Sequence, residues 1–591
     1  TASSSSRRSP SLRTFRRPTL SSWRDPDTRE YGLLLVLVAV AVAFFTYLAH
    51  DLWFVWGDDY DFFLMRGTVP VADRGIWAPH DDHWMTAIVL IDRALLSLYG
   101  LDSYLPYVLV SIGLHAASVL VVHAVLKRLG AGRWARFSAC VVLLFAGAGA
   151  QAVLWNTTAG LIGSMFFGWL ALLLSLAPPR NERGLPGEPD DDGAEGAQPP
   201  WRVWFPLVVG LTFSGTGVVA VLFVGAFTWF QRGLKAALLV VSVPAAVFLV
   251  WYIAIGNTGA KAPLEDPWAY LAVPRLVWIG LVHAPDAATG IDGSGPLVLG
   301  GLVLATLMAS SRVPAGLRAL AYAGLIAAVG QLALAALSRP SFGAEAFAGG
   351  RYAYLTLFFL APALVVTLMM LGSWVTAPRQ VAVLLALLVG AAYVVNAGAL
   401  FRAEHDGRLY VSEPWPGLMR GLRDAAQAGE QVLTVDAVDE VHMRFRADLA
   451  AREEMWDELP SGAATTEELV YAESSFFTGV SRESFDVGSG EDVRPVLDFD
   501  TTKPIRRGCR TLTAEGESPV LAMDTGPDGA QFGVQGPTDR IVAHIVRDKI
   551  QGPDRSWAVD PEVGHWVATS AQNAELVVNL TMPGTYTVCK L

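Results

Sequence analysis

The stretch Trp56-Gly57-Asp58-Asp59-Tyr60-Asp61-Phe62-Phe63 closely follows the first strongly apolar run of the chain, Tyr31 to Ala49. Nineteen uncharged and mostly apolar residues in a row are enough to cross a lipid bilayer as a helix. Three carboxylates set among aromatic rings beside that crossing are costly unless they are paired, hydrated or employed. A second polar cluster, His80-Asp81-Asp82-His83-Trp84, follows within the same loop. The fold and the chemistry both depend on which side of a membrane these two clusters face.

The rest of the chain supports the membrane reading. Its 591 residues are 52% hydrophobic and only 17% charged, with a mean hydropathy of +0.39. Soluble domains carry nearer a quarter charged residues. The net charge of −11 excludes a nucleic-acid binder of the basic kind. The chain holds no P-loop, no dinucleotide fingerprint and no CxxC pair. Residues 1–30 are rich in Ser and Arg and lack an apolar core, so Tyr31 onward is expected to be an uncleaved first span. Arg7, Arg8, Arg13, Arg16, Arg17, Arg24 and Arg29 place this basic tail in the cytoplasm by the positive-inside rule. The first span then delivers Asp58 and Asp59 to the outer face.

Eleven apolar stretches read as spans: 31–50, 104–126, 135–154, 160–177, 201–213, 216–230, 236–255, 296–311, 319–338, 353–375 and 380–400. The pair 201–213 and 216–230 is short, and its break at Ser214-Gly215-Thr216-Gly217 marks a tight turn between thin or tilted helices. The loops assigned to the inside are richer in Arg and Lys than those assigned to the outside. The expected architecture is a polytopic α-helical membrane domain over 31–403, with an outer loop 51–103 carrying the acids. The cytoplasmic loop 178–200 is Pro-, Gly- and acid-rich and is expected to lack structure of its own. Residues 404–591 read as an extracytoplasmic domain, mixed α/β and then β-sandwich-like. Its helix is expected over Pro414–Ala428 and a strand over Gln431–Val435. Further strands are expected at 520–523, 540–545, 566–568, 575–580 and 585–589. Of the three cysteines, Cys140 lies in a span. Cys509 and Cys589 flank the β-rich part. Outside the cytoplasm they could form a disulfide, closing a loop of about eighty residues worth up to roughly 4–5 kcal/mol in the chain-entropy picture, or both could stay free.

The order of features from Trp56 to Gly130 resembles the glycosyltransferase-C superfamily, membrane enzymes that use lipid-phosphate sugars. A span comes first, then Trp56-Gly57-Asp58-Asp59, the polar loop 80–84, and an amphipathic stretch ending in Leu98-Tyr99-Gly100-Leu101-Asp102-Ser103-Tyr104. A second span with Leu114-His115 follows. The protein O-mannosyltransferase and aminoarabinose-transferase branches are the ones it is similar to. Leu211 to Gly217 resembles a polar turn between later spans of that family, without its usual charged residue. Gly350-Arg351-Tyr352-Ala353-Tyr354 resembles an Arg-Tyr element at the outer mouth of a late span.

That resemblance implies sugar transfer, with inversion, from a polyprenyl-phosphate donor on the outer face. The acceptor would be an envelope glycan, a lipid-linked glycan or a protein. A base must take the acceptor's proton, and the doublet Asp58 and Asp59 is the expected source. A cation must hold the leaving phosphate, and Arg351 beside Tyr352 is the first candidate, with Lys261, Arg275 and Arg339 in reserve. His80, Asp81, Asp82 and His83 could orient the acceptor. With the first acids they could instead hold a divalent cation such as Mg, Mn or Ca, although their spacing is not a metal signature. The plainer readings are a solvated acid loop and an interfacial Arg among aromatic anchors. His115 reads as a packing histidine. The loop 256–295 is expected to line the substrate cleft. A transporter or flippase of a lipid-linked intermediate is the alternative function, and a non-enzymatic assembly partner is the third. Asn156-Thr157-Thr158 and Asn579-Leu580-Thr581 match the glycosylation triplet, which arises often by chance.

Overall fold

The computed structural model describes residues 25–54, 59, 62, 75–80, 83–176, 200–258, 267–309, 313–338, 343–374, 379–412, 415–427, 456–457, 459–476, 479–481, 509–514, 520–524, 530–552, 555–558, 565–570, 575–582 and 584–590. Asp58, Asp81, Asp82, Lys261, Arg339, residues 1–24 of the basic tail, residues 178–199 of the acid-rich loop and the strand expected at Gln431–Val435 lie outside the described residues.

The chain is a multi-pass membrane protein. Among the described residues, eight helical stretches are long and apolar enough to cross a bilayer, and three shorter helices are apolar. The first, α1 (Pro26–Ala49), starts where Asp25 caps it, its carboxylate accepting from the amides of Asp27 and Thr28, with Pro26 at the first helical position. Twenty-four residues rise about 36 Å, enough for the hydrocarbon and part of the headgroup layer. Helix α2 (Thr86–Tyr99) is amphipathic and is not among the candidate spans. It leads through Gly100, at positive φ, into α3 (Leu105–Arg128).

The expected straight span 135–154 is broken. Helix α4 (Arg133–Leu144) stops at Phe145. A 3₁₀ turn Gly147–Gly149, the short helix α5 (Ala150–Leu154) and a second 3₁₀ turn Asn156–Thr158 follow, before α6 (Ala159–Ser175) resumes the crossing. The cause is close packing. A Cβ at Gly147 would lie 2.7 Å from the Ala397 backbone, and one at Gly149 would overlap the Tyr354 ring. Two neighbouring helices press on this segment where it has no side chains, and all of Gly147–Thr158 except Gln151 is buried.

Helices α7 (Trp201–Leu211) and α8 (Thr216–Arg232) fold back on one another at 212–215, where Gly217 meets Gly210 and Leu211 backbone to backbone. Helix α9 is Leu234–Ala254. The stretch 256–295, expected to be a loop, contains a helix, α10 (Val273–Thr289). Its buried Leu276, Gly280, Ala284 and Ala288 recur every four residues and pack toward α12. Pro274, Pro285 and the polar residues of its other face hid that periodicity. Then come α11 (Gly295–Met308), α12 (Ala315–Ser338), α13 (Ala344–Phe347), α14 (Gly350–Trp374) and α15 (Arg379–Ser412). At 34 residues α15 rises about 51 Å, well beyond the apolar layer.

The C-terminal part carries α16 (Trp415–Gln427), α17 (Thr466–Phe476) and two β-sheets. One sheet has strand order β3-β10-β6-β12-β4 and the other is built on β5-β11-β7. Counting the short strands β1 (Pro79–His80) and β2 (His83–Trp84) ahead of α2, these are β3 (Gly479–Ser481), β4 (Cys509–Ala514), β5 (Val520–Asp524), β6 (Ala530–Gln535), β7 (Arg540–Arg547), β10 (His565–Ser570), β11 (Glu575–Leu580) and β12 (Gly584–Lys590), with β8 (Ile550–Gln551) and β9 (Arg555–Ala558) both pairing with β7. Alternation buries Ile541, Ala543 and Ile545 on β7, Leu576, Val578 and Leu580 on β11, and Tyr586 and Val588 on β12. Antiparallel register sets Cys589 opposite Cys509. The two parts of the chain touch where the Ser461 amide donates to Asp102 at 2.7 Å.

Candidate active site

The three polar motifs read from the sequence meet at one end of the bundle. Residues 79–80 and 83–84 form a small antiparallel hairpin, with His80 opposite His83. Phe62 of the first loop is fully buried and sets its ring edge-on to His80 at 5.0 Å. The turn at 212–215 docks on the same hairpin. The Ala87 amide donates to Thr212 at 2.9 Å. Gly215 leaves room for the His83 ring, since a Cβ there would lie 2.5 Å from His83 Nδ1.

Asp59 is 1% exposed. Thr157 Oγ1 and Trp155 Nε1 donate to its Oδ1 at 2.6 Å and 3.2 Å. Between those two residues, Asn156 turns the other way, and its Nδ2 donates to both carboxylate oxygens of Asp92 at 3.1 Å and 3.2 Å. Asp92 belongs to α2 and is likewise 1% exposed. Three consecutive residues therefore hold two buried acids from two different elements. The segment is itself fixed: the Asn156 amide donates to Tyr104 Oη at 2.7 Å, and Ser111 Oγ donates to the Trp155 carbonyl at 3.1 Å. Burial, first, and then the nearby Asp59 charge push the Asp92 carboxyl up to about 8, against the opposing hydrogen bond from Asn156.

The guanidinium of Arg408, on α15, lies over the Trp155 ring at 5.7 Å. It is 6% exposed. Its Nε donates to Glu404, one turn earlier, at 2.7 Å. Its Nη2 is buried and has no hydrogen-bond partner among the described residues. A buried guanidinium with an idle N–H is an unmet demand for an acceptor. A cleft of about 270 Å³ opens between the end of α1, the head of α3 and the far end of α15, with Asp51, Ser103 and Leu409 in its lining; Ser103 and Leu409 are the chain neighbours of the buried Tyr104 and Arg408.

Arg351 stands further along the same wall. Its amide donates to Gln151 of α5 at 3.4 Å and its guanidinium lies over Tyr352 at 5.3 Å. Tyr352 in turn stacks on Phe347. His115 is engaged on both ring nitrogens, by Tyr354 Oη at 2.9 Å and the Leu144 carbonyl at 3.1 Å, as a packing histidine would be. Among the described residues, no three His, Cys, Asp or Glu side chains come together as a metal site. The triplet Asn156-Thr157-Thr158 is buried within this wall rather than exposed to a glycan-attaching enzyme.

Sequence reading missed Asp92, Trp155 and Arg408. Asp92 is the lone acid within α2's apolar pattern, which was a visible signal. Arg408 fell beyond the apolar limit of the last span, although the Glu404/Arg408 spacing of four could have extended that helix.

No protein-family profile matches the chain, and no curated protein matches it. Among solved structures, the fold is similar to ArnT from Cupriavidus metallidurans bound to undecaprenyl phosphate. That match has 14% identity, covers 75% of this chain and 87% of the other, and gives a TM-score of 0.43. The same protein in the apo state matches with 15% identity, the same coverage and a TM-score of 0.40. The likeness is in the course of the chain alone.

Proposed function

We propose that this chain is a membrane glycosyltransferase that moves a sugar from a polyprenyl-phosphate donor to an acceptor hydroxyl on the outer face of the membrane. The observation that carries the reading is the pairing of opposites on one buried wall. An acid held by Trp155 and Thr157 sits on one side, and a guanidinium with an idle N–H covers the same Trp155 on the other. The orientation rests on the basic tail and on the Arg- and Lys-rich loops that share its side.

Sugar transfer with inversion needs this division of labour. The acceptor oxygen forms its bond to the anomeric carbon as the bond from that carbon to the phosphate oxygen breaks. Asp59 takes the hydroxyl proton; its two neutral donors favour the carboxylate form that a base must have. The leaving polyprenyl phosphate gains one negative charge, and Arg408 Nη2 donates to it as the charge develops. Arg351, on the same wall, is the second cation for that phosphate. His80 and His83 orient the acceptor. The cleft beside Ser103 and Leu409 is its way in. Asp58 remains a partner or rival of Asp59 for the base, and a divalent cation bound by the first loop would assist the same phosphate. The cross-strand register of Cys509 and Cys589 supports a disulfide in an outer domain, since antiparallel partners lie within the span that such a bond bridges.

The test is transfer of a labelled sugar from a polyprenyl-phosphate hexose or pentose in membranes carrying wild type, Asp59→Asn or Asp58→Asn. The reading expects Asp59→Asn to insert normally and bind donor while transfer falls about 10²–10⁴-fold. Full transfer by both variants would remove the acid base from the mechanism. Uptake of intact labelled donor into vesicles without sugar transfer would favour a transporter.

A further inference from the structure

We propose that Asp92 works as a neutral carboxylic acid, a positioning residue that keeps Asp59 the ionised member of this pair of buried acids; its effect on transfer rests on the function proposed above. The geometry starts from Asn156. This side chain is fully buried and gives Nδ2 to Asp92, yet its own Oδ1 is buried with no hydrogen-bond donor among the described residues. An ionised Asp92 has no proton to offer, so Oδ1 stays unmet. A protonated Asp92 supplies an O–H, and a small swing of the amide pairs the two groups reciprocally.

The surroundings point the same way. Facing Asp92 from the elements around α2 are Asp59 of the first loop, Tyr104 at the head of α3, and Asn156. Helix α6, packed against α2, carries no titratable side chain, and α7 contributes the Thr212 carbonyl to the start of α2. Arg408 acts on Tyr104 and stacks on Trp155, with Glu404 as its ion partner. Arg93, its neighbour on α2, is exposed, and no cation is among the groups that act on the Asp92 carboxyl, whereas the like charge of Asp59 is. Two acids held by consecutive residues avoid double ionisation by sharing one proton. Asp59, with a hydroxyl and an indole N–H donating to it, is the better anion. Asp92, with a single amide, is the better acid.

The consequence is an alkaline limit. Once Asp92 ionises, a second negative charge appears beside Asp59 and near the phosphate, and donor binding weakens. The stability sign follows from the raised carboxyl. On unfolding, Asp92 returns to its ordinary value of 3.8 and releases its proton at any pH between there and about 8. The native state holds the extra proton in that window, so this group makes stability fall as pH rises through it, and the fall levels off above about 8.

The experiment uses the full-length protein in detergent. Melting temperatures of wild type and Asp92→Asn are compared across pH. Asparagine imitates the protonated acid and can donate to Asn156 Oδ1, so its advantage over wild type should grow with pH and become constant above about 8. An advantage that does not change with pH, or a uniform loss, overturns the proposal. A second measurement does not depend on that variant folding: the infrared band of a buried protonated carboxyl should vanish near pH 8 in wild type and persist at neutral pH in Asp59→Asn. Its absence at neutral pH from wild type also overturns the proposal. In the transfer assay, wild type should lose about tenfold in rate one pH unit above that midpoint, chiefly through KM, and Asp92→Asn should not. Melting and infrared results as expected, with no sugar transfer by any form, would leave Asp92 as assigned and remove the glycosyltransferase reading instead.

Discussion

Arg408→Met separates binding from folding at the same residue. Methionine nearly matches the length of the arginine stem and keeps contact with the Trp155 ring. It removes the cation over the indole, worth about 1–2 kcal/mol at a desolvated site. It also removes a buried charge with an unpartnered N–H. Replacing a whole buried ion pair by apolar groups of similar volume is often neutral or stabilising by roughly 1–4 kcal/mol, and removing one partner is costly only where the charge left behind stays buried. Glu404, its side chain 29% exposed, can hydrate when its partner leaves. The two effects nearly cancel, so the melting temperature should stay within a few degrees of wild type or rise. The phosphate, by contrast, loses a charge-assisted hydrogen bond of about 1.5–3 kcal/mol, a weakening of roughly 10–150-fold. The assay titrates a fluorescent short-chain polyprenyl phosphate into purified wild type, Arg408→Met and Arg408→Lys, with the matching polyprenol as a control. Lysine, a point charge without the planar fork, should fall between the other two. Polyprenol affinity should not move. Equal phosphate affinity in wild type and Arg408→Met would refute the role given to Arg408. So would a parallel loss for the polyprenol, or a large fall in melting temperature, since either would make this arginine a support for the fold.

Gly215→Ala places a methyl group against His83 Nδ1, so the hairpin or the turn must shift. It should cost about 1–3 kcal/mol, seen as a lower melting temperature, and should raise KM for the acceptor; unchanged values of both would mean that the 212–215 turn does not shape the site. At the opposite end of α1, about 30 Å away, Glu30 accepts from Arg136 Nε at 2.9 Å and lies 3.0 Å from His123 Nε2, while Asp27 pairs with Arg136 and Lys127. Glu30→Gln leaves the buried Arg136 with Asp27 as its remaining carboxylate partner among the described residues and should destabilise the protein by about 1.5–3 kcal/mol, the loss of a charge-assisted hydrogen bond. Transfer per folded molecule should stay at the wild-type level, and a selective loss of rate would mean that this cluster communicates with the site.

What the sequence discloses about this chain is set by the kind of force involved. Apolar runs report the membrane directly, because a span must satisfy its backbone internally and cover itself with apolar side chains. The spans and the strands of β5, β7, β10, β11 and β12 were legible for that reason, through length in one case and alternation in the other. The first-loop acids were legible because charge beside a bilayer is expensive. The wall that holds Asp59 was not. Gly147, Gly149 and the Trp155-Asn156-Thr157 run look like the tail of an ordinary span, and the break there is imposed by helices α14 and α15, which lie some two hundred residues further along the chain. Arg408 was hidden by the opposite circumstance: a helix can continue past the apolar layer on an i,i+4 ion pair, whereas hydropathy stops at the boundary. Both omissions concern polar groups whose meaning depends on a partner distant in sequence. Such groups announce themselves only as exceptions to a pattern, as Asp92 does within α2. A buried acid or base that interrupts an apolar face, with no local partner to excuse it, is accordingly the feature of a membrane sequence most worth following to its contacts.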